Sequence, residues 1–176
     1  MSTPNAGSTG RRVELEDALK AACALENAGI DWHGGELARS LALPEALAQS
    51  IAKALTAFGW AETSESGSMC LTETGQARAI ELIRAHRLWE RYLVDREGVP
   101  PEDAHAQAHH REHEMLPDEV ERLDAELGHP AWGSHGDAIP GSGSQLPSPA
   151  AQSLLDMAVP GRRLRIVELD DEPAEL

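Results

Sequence analysis

One short segment of the chain concentrates histidine and glutamate at helical spacing. Its residues occupy positions i, i+4, i+7 and i+8, and they are His105, His109, Glu112 and His113. On a helix with 3.6 residues per turn these positions share one face, so three imidazoles and one carboxylate converge. Such ligands, without thiolate, suit divalent manganese, iron, cobalt, nickel or zinc. The segment therefore predicts a site for a transition-metal ion.

Three more residues extend this ligand set to other segments. His86 and Glu90 form an i, i+4 pair in an earlier stretch, and Asp17 lies near the N-terminus. A histidine-rich helix face is often only a solvated surface, and two such residues alone would favour that interpretation. Six residues at ligand spacing on two consecutive helices favour metal binding instead.

The remaining histidines are predicted to face solvent. His110 points away from the ligand face because of the helical repeat. His33, His129 and His135 have no carboxylate or histidine at ligand spacing in the sequence. These four residues are therefore left out of the predicted site.

The charge of the chain argues against non-specific binding to nucleic acid. The 176 residues include 30 acidic and 15 basic ones, which gives a formal net charge of -15. Acidic residues outnumber basic ones by ten to five within the first 75 residues, so the excess is not confined to a tail. Such a surface is well solvated and repels a phosphate backbone.

Cysteine usage and hydropathy indicate the compartment. Cys23 and Cys70 lie in different segments without metal-ligand spacing, so free thiols in a reducing cytosol are expected. No apolar run approaches the roughly 20 residues that a membrane span needs. We therefore expect a soluble, cytoplasmic chain without membrane insertion.

Apolar periodicity, interrupted by glycine and proline, predicts a mainly helical chain with a small β wing. The predicted helices span residues 13–28, 36–43, 44–58, 72–98, 102–115 and 117–127. The second and third are short and closely joined, which is typical of a helix-turn-helix. After the third helix, two short apolar runs flank a polar serine-rich turn at 64–68 and predict a hairpin. A winged-helix unit thus precedes the helices that carry most of the ligand set.

The last part of the chain has a different pattern. Residues 128–148 are rich in glycine, proline, serine and histidine, which is typical of an irregular linker. Residues 154–168 end in an alternating run that predicts a strand. The acidic residues 170–176 are expected to fray.

Five runs of residues are informative when taken together: HRLWERYL from His86, HHREH from His109, DEVERL from Asp118, HGDAIP from His135 and LTETG from Leu71. They resemble the diphtheria toxin repressor and manganese transport regulator family of metal-dependent transcriptional regulators. The resemblance covers roughly residues 13–140 and is most specific in the second half.

The residue patterns and this resemblance together predict a division of the chain into five parts. A disordered N-terminus (1–11) precedes a winged helix-turn-helix (12–75) and a helical metal-binding and dimerisation domain (76–140). A linker (141–153) then leads to a truncated SH3-like, or FeoA-like, segment (154–176). Its strand, 159–168, is similar to the opening of the small barrel in longer family members, but too few residues follow to complete that barrel. Glu168 or Asp170 could add a metal ligand, although solvation of an acidic tail is the favoured interpretation.

The resemblance also implies two metal sites. Its primary site corresponds to Asp17, His109, Glu112 and His113, and its second site corresponds to His86, Glu90 and His105. Two departures affect the choice of metal. His109 stands where the family usually has cysteine or glutamate, and Lys20 stands where manganese-selective members place a carboxylate. Asp17 in place of a thioether favours a harder site for Mn(II) or Fe(II), while Zn(II), Co(II) and Ni(II) remain alternatives.

The recognition helix is the weakest part of the resemblance. Its outward positions are Glu45, Gln49, Ser50 and Lys53. A strong DNA reader would present several arginine, lysine, asparagine or threonine side chains to phosphates and base edges. Gln49 and Ser50 are the candidate base readers, and Lys53 is the candidate phosphate contact.

Three functions are consistent with these residues. The leading hypothesis is a non-enzymatic repressor that senses Mn(II) or Fe(II), binds operator DNA as a homodimer and controls metal homeostasis. An alternative is a metal-sensing domain that has lost DNA binding and contacts a partner such as a metal-transport protein, which the acidic charge favours. A metallohydrolase is disfavoured because no separate base, nucleophile or substrate loop accompanies the ligands.

Overall fold

The computed structural model describes residues 6–142, with side chains from Gly10 onward. Six α-helices and one small hairpin follow one another along this part of the chain. The elements are α1 (Ala6–Asn27), α2 (Gly34–Ser40), α3 (Glu45–Ala57), β1 (Ala61–Thr63), β2 (Met69–Leu71), α4 (Glu73–Asp95), α5 (Pro101–Arg111) and α6 (Pro117–Glu126). The prediction of a mainly helical chain with a small β wing is confirmed for these residues.

The N-terminal unit has its own hydrophobic core. Leu15 and Leu19 of α1, Leu37 of α2, and Ile51 and Leu55 of α3 are almost completely buried. Their spacing of three or four residues within a helix puts each helix's apolar side chains on one face. This packing leaves the opposite face of α3 exposed.

The hairpin is antiparallel and pairs Ala61 with Leu71. Trp32, which is fully buried, forms an isolated bridge with Met69 of β2. The indole Nε1 of Trp32 donates to Glu26 Oε1 over 2.9 Å, and the same oxygen accepts from the backbone N of Leu71 over 2.6 Å. The wing is therefore attached to the end of α1.

The long helix α4 begins where the hairpin ends. Thr72 is its N-cap and accepts a hydrogen bond from the backbone N of Gly75. A Cβ atom on Gly75 would lie 1.9 Å from the carbonyl oxygen of Trp60. Glycine at this position thus allows the first turn of α4 to pack directly on the backbone of Trp60, just before β1.

A second core joins α4 to α6 and the following loop. Ala85 and Leu88 pack with Met115, Val120 and Leu123, and Ile139 covers them from the loop. Arg84, which is buried, donates to the carbonyl oxygen of Pro140 over 2.8 Å and pairs with Asp124 over 2.9 Å. α4 therefore belongs to both cores and is the rigid connection between them.

Some predicted boundaries differ from the structure. The first helix begins at Ala6, so residues 6–11 of the segment expected to be disordered are helical. The fifth helix ends at Arg111, not at Met115, because the chain turns before Leu116, which Pro117 holds extended (ψ 151°). Four predictions lie outside the described residues: the C-terminal strand, the SH3-like segment, the extra ligands Glu168 and Asp170, and residues 143–153 of the linker. Within the described part, none of the helices is long and apolar enough to cross a membrane.

Candidate metal centre

Four predicted ligands meet where α1 packs near the end of α5. We call Asp17, His109, Glu112 and His113 the first cluster; one ligand atom from each lies within 4.8 Å of the others. His113 Nε2 is 3.2 Å from Asp17 Oδ1 and 3.3 Å from Glu112 Oε1. His109 Nδ1 is 3.6 Å from Glu112 Oε1. Although α5 ends at Arg111, Glu112 keeps helical backbone angles and donates its N–H to Ala108, so its side chain still follows the helix face.

Three predicted ligands form a second group between α4 and α5. We call His86, Glu90 and His105 the second cluster, whose ligand atoms also lie within 4.8 Å of one another. His105 Nδ1 is 3.1 Å from Glu90 Oε1 and 3.2 Å from His86 Nε2. Glu90 is buried on α4, while His105 is mostly exposed on α5. The second cluster is therefore open to solvent on one side.

The two clusters are in contact with each other. His86 Nδ1 lies 2.6 Å from Glu112 Oε2, while its Nε2 faces His105 and Glu90. The Glu112 side chain is completely buried. One imidazole thus joins the carboxylate of the first cluster to the ligands of the second.

Glu16 supports the first cluster and was not predicted. It is 1% exposed, and its Oε2 lies 2.7 Å from His113 Nδ1. Arg78 of α4 and Arg12 of α1 both donate to Glu16 Oε1, over 2.7 and 3.0 Å. When His113 Nδ1–H donates to this carboxylate, the Nε2 atom is directed into the cluster. Helical spacing in the sequence relates Glu16 only to Arg12, because its other partners lie on α4 (Arg78) and in the turn after α5 (His113).

His135 is the second residue that sequence reasoning missed. It was predicted to face solvent, but its Nε2 lies 3.4 Å from Glu90 Oε1, and its ring centroid is 6.5 Å from that of His105. The loop after α6 brings it there. His129 and His33 are exposed, as predicted, although each contacts one carboxylate, at 2.7 Å from Asp124 and 3.6 Å from Glu36. His110 is exposed on α5, as predicted.

The surroundings of the two clusters stabilise the charged forms of their carboxylates and of one imidazole. Burial alone would raise the pKa of Glu16, but hydrogen bonds from His113, Arg78 and Arg12 lower the pKa to about 2. Burial likewise opposes protonation of His113, but the carboxylates of Asp17, Glu16 and Glu112 raise its pKa to about 9. Burial of Glu90 is outweighed by the neighbouring imidazoles of His86 and His105, which lower its pKa to about 2. The clusters therefore hold ionised carboxylates and a protonated imidazole.

The donor set fits a divalent transition metal. Asp17 Oδ1 and His113 Nε2 are buried and have no partner with hydrogen-bond geometry, although they face each other inside the first cluster. Buried polar atoms without partners are uncommon in native proteins and call for an explanation, such as a missing ion. Carboxylate oxygens and imidazole nitrogens are ligands that manganese, iron and zinc accept.

The predicted DNA-contact residues lie apart from these clusters in the fold. Gln49, Ser50 and Lys53 are exposed on the outer face of α3. The side-chain amide of Gln49 donates to Glu45 Oε1 over 3.0 Å on the same face. The four outward positions of α3 thus carry one basic residue, Lys53, and one acidic residue, Glu45.

Comparison with known proteins identifies similarity over about 70 residues that include most of the predicted ligands. Residues 72–141 match the family described as "Iron dependent repressor, metal binding and dimerisation domain". The "Iron-dependent repressor IdeR" of Mycobacterium tuberculosis is 48% identical over 71 residues, which are 40% of this chain and 31% of that protein. A "Probable metal transport system membrane protein" of Chlamydia trachomatis is 42% identical over 71 residues, which are 40% of this chain and 16% of that protein.

Solved structures extend the likeness beyond this domain. The manganese regulator SloR superposes with a TM-score of 0.69 and 28% identity, covering 76% of this chain and 62% of that one. ScaR with bound Zn²⁺ superposes with a TM-score of 0.68 and 30% identity, covering 76% and 63%. The chain thus spans less than a third of the matched IdeR and about three fifths of these two regulators.

Proposed function

Because the chain belongs to the diphtheria toxin repressor family of metal-dependent regulators, we propose that it is a transcriptional repressor controlled by a divalent metal ion. The observation that carries the proposal is the convergence of seven residues with nitrogen or oxygen ligand atoms, from α1, α4, α5 and the turn after α5, into two clusters that are in contact. Catalysis is not part of the proposal, since the relatives are named as repressors and regulators. We propose that it acts in the cytoplasm, where its operator DNA would be found.

Asp17 is central to how such a regulator would work. It is the one ligand of the first cluster that α1 contributes, while the others come from α5 and the turn after it. A bound ion would hold Asp17 to His109, Glu112 and His113, and α1 packs on the core that also contains α3. The arrangement with all four ligands together binds the ion more tightly, so metal shifts the population towards it.

Mn(II) and Fe(II) are the proposed effectors. The first cluster contains two carboxylates and no sulfur ligand, and hard oxygen donors suit these two ions. The second cluster has two imidazoles, with His135 nearby, and such sites also accept Zn(II), Co(II) or Ni(II). The named effectors of the relatives, iron and manganese, agree with this choice.

DNA binding is proposed through the exposed face of α3 in a homodimer. Gln49 and Ser50 would contact base edges, and Lys53 would contact a phosphate. The dimer would form through residues 72–141, since the matching family is described as a dimerisation domain. Two copies would place two α3 helices on successive half-sites.

The test is metal-dependent binding to duplexes selected from a randomised pool, measured from low to high salt. A DNA reader releases counterions, so its binding constant falls with salt, and Gln49→Ala with Lys53→Ala should weaken binding. Gln107→Ala, exposed on α5, is the matched control. Binding that needs neither metal nor the α3 residues would contradict the proposal.

A second candidate is a metal sensor that contacts a metal-transport protein instead of DNA. Two observations favour it: the net charge of -15, and the likeness of this chain to part of a Chlamydia trachomatis membrane protein named for metal transport. Metal binding without any selected DNA, at every salt concentration, would support this candidate over the first.

A further inference from the structure

Lys20 occupies a position inside the first cluster. It lies three residues after Asp17 on α1, and its ammonium Nζ contacts Glu112 Oε1. The same Nζ atom is 3.4 Å from His109 Nδ1 and 3.7 Å from Asp17 Oδ1. Its side chain is only 19% exposed. The ammonium therefore touches three of the four ligands.

Lys20 places a positive charge among the side chains that would bind a metal ion. An ammonium has three donors and no acceptor, and here it faces two carboxylates and one imidazole nitrogen. Glu112 is completely buried, so its negative charge needs a positive partner nearby. Lys20 contacts Glu112 Oε1 directly and adds its charge to that of His113, whose Nε2 lies 3.3 Å from the same oxygen, whereas Arg12 and Arg78 are bound to Glu16.

A divalent ion and this ammonium cannot both occupy the cluster. The ion would need the carboxylates of Glu112 and Asp17 as ligands, and Lys20 contacts one oxygen of each. Two cations this close would also repel each other strongly in a site shielded from water. The Lys20 stem can swing outwards, since long basic side chains readily carry their charge to solvent.

We propose that, in the metal-free protein, the Lys20 ammonium occupies the place of the ion among the ligands of the first cluster and competes with divalent metal for it. The inference rests on the proposed metal binding. When metal binds, the contact of Lys20 on α1 with Glu112 would be lost, and Asp17 on α1 would be joined to the other ligands through the ion. The contact between Glu16 and His113 would be kept in both states and would hold α1 in place. Lys20 thus raises the metal concentration at which the cluster fills.

The experiment compares the full chain with Lys20→Met, which keeps the stem and removes the charge, and Lys20→Arg, which keeps the charge. Mn(II) affinity is measured by calorimetry, and the melting temperature is measured without metal. Lys20→Met should bind Mn(II) about tenfold more tightly and melt at a lower temperature when metal-free, because Glu112 loses its contact with the ammonium. Lys20→Arg should stay near the wild-type affinity. Arg122→Met, which removes an exposed charge from α6, is the control and should change neither value.

A residue with a merely structural role would lower both stability and metal affinity, so opposite changes are specific to competition. Equal or weaker Mn(II) binding by Lys20→Met, with the wild type binding normally, would overturn this inference and leave the proposed function intact. If neither the wild type nor Lys20→Met binds Mn(II), both this inference and the proposed function are overturned. If Lys20→Met does not fold, Lys20→Gln carries the same expectation.

Discussion

His86 Nδ1 and Glu112 Oε2 lie 2.6 Å apart, and this contact joins the two clusters. His86 belongs to α4 and Glu112 to the turn after α5, so the contact also joins the two helices. Because the imidazole faces Glu112 with one nitrogen and the second cluster with the other, any change at Glu112 reaches both groups. The clusters should therefore behave as a coupled pair.

Glu112→Gln tests this coupling. The change should remove metal binding at the first cluster and also weaken the second by about tenfold or more, because His86 loses the carboxylate that orients it. Asp17→Asn should affect only the first cluster, since Asp17 contacts none of the second-cluster residues in the described part of the chain. Two-step calorimetric titrations measure both effects, with exposed Glu114→Gln as control. An unchanged second step in Glu112→Gln would show that the clusters are independent.

Glu16→Gln tests the support of His113. The amide cannot replace a buried carboxylate that accepts from an imidazole and two guanidinium groups, so we expect a loss of about 2 kcal/mol of stability. Metal affinity should fall by about 10- to 100-fold, because His113 is no longer oriented. Glu14→Gln, exposed on the same helix, is the matched control for both measurements. Full metal affinity in Glu16→Gln would remove Glu16 from the site.

His135→Ala tests whether the loop after α6 contributes to the second cluster. Its Nε2 is 3.4 Å from Glu90 Oε1, so its loss should weaken the second binding step by roughly tenfold and leave the first unchanged. His110→Ala, exposed on α5, serves as the control for removing a histidine. Identical titrations of the two variants would place His135 outside the centre.

Asp124→Asn tests a charge network away from the clusters. Burial of Asp124 is outweighed by hydrogen bonds from His129 and Arg84, which lower its pKa below the ordinary value of 3.8. A lowered pKa in the folded state stabilises the protein above the unfolded-state pKa, and this contribution disappears as pH falls through the folded value. The variant should be less stable by about 2 kcal/mol near pH 6. Denaturant unfolding should show that the stability difference between wild type and variant shrinks below about pH 4. A difference that grows as the pH falls would contradict this prediction.

Periodicity within single helices allowed much of the site to be predicted. His105, His109, Glu112 and His113 share a face because of the helical repeat alone, and the structure brings them near Asp17, His86 and Glu90. The hairpin and the helix boundaries near Gly29 and Thr72 are marked by local residues, and the structure places them there.

Contacts between elements could not be read from such local patterns. Glu16 meets His113, and His135 meets Glu90, only because α1, α4 and the last loop pack together. Lys20 was noticed as a departure from the family pattern, but its position inside the cluster depends on how α1 lies against α5. The early start of α1 was missed because residues 6–12 carry no apolar periodicity.

Direct metal binding tests the central claim. Tag-free full-length protein and the double variant His109→Ala with His113→Ala are titrated with Mn(II), and with Fe(II) under anaerobic conditions, by calorimetry. We expect saturable binding by the wild type and loss of tight binding at the first cluster in the variant, with far-UV circular dichroism showing similar helix content. Identical titrations of the two proteins would contradict the assignment of these clusters as a metal centre.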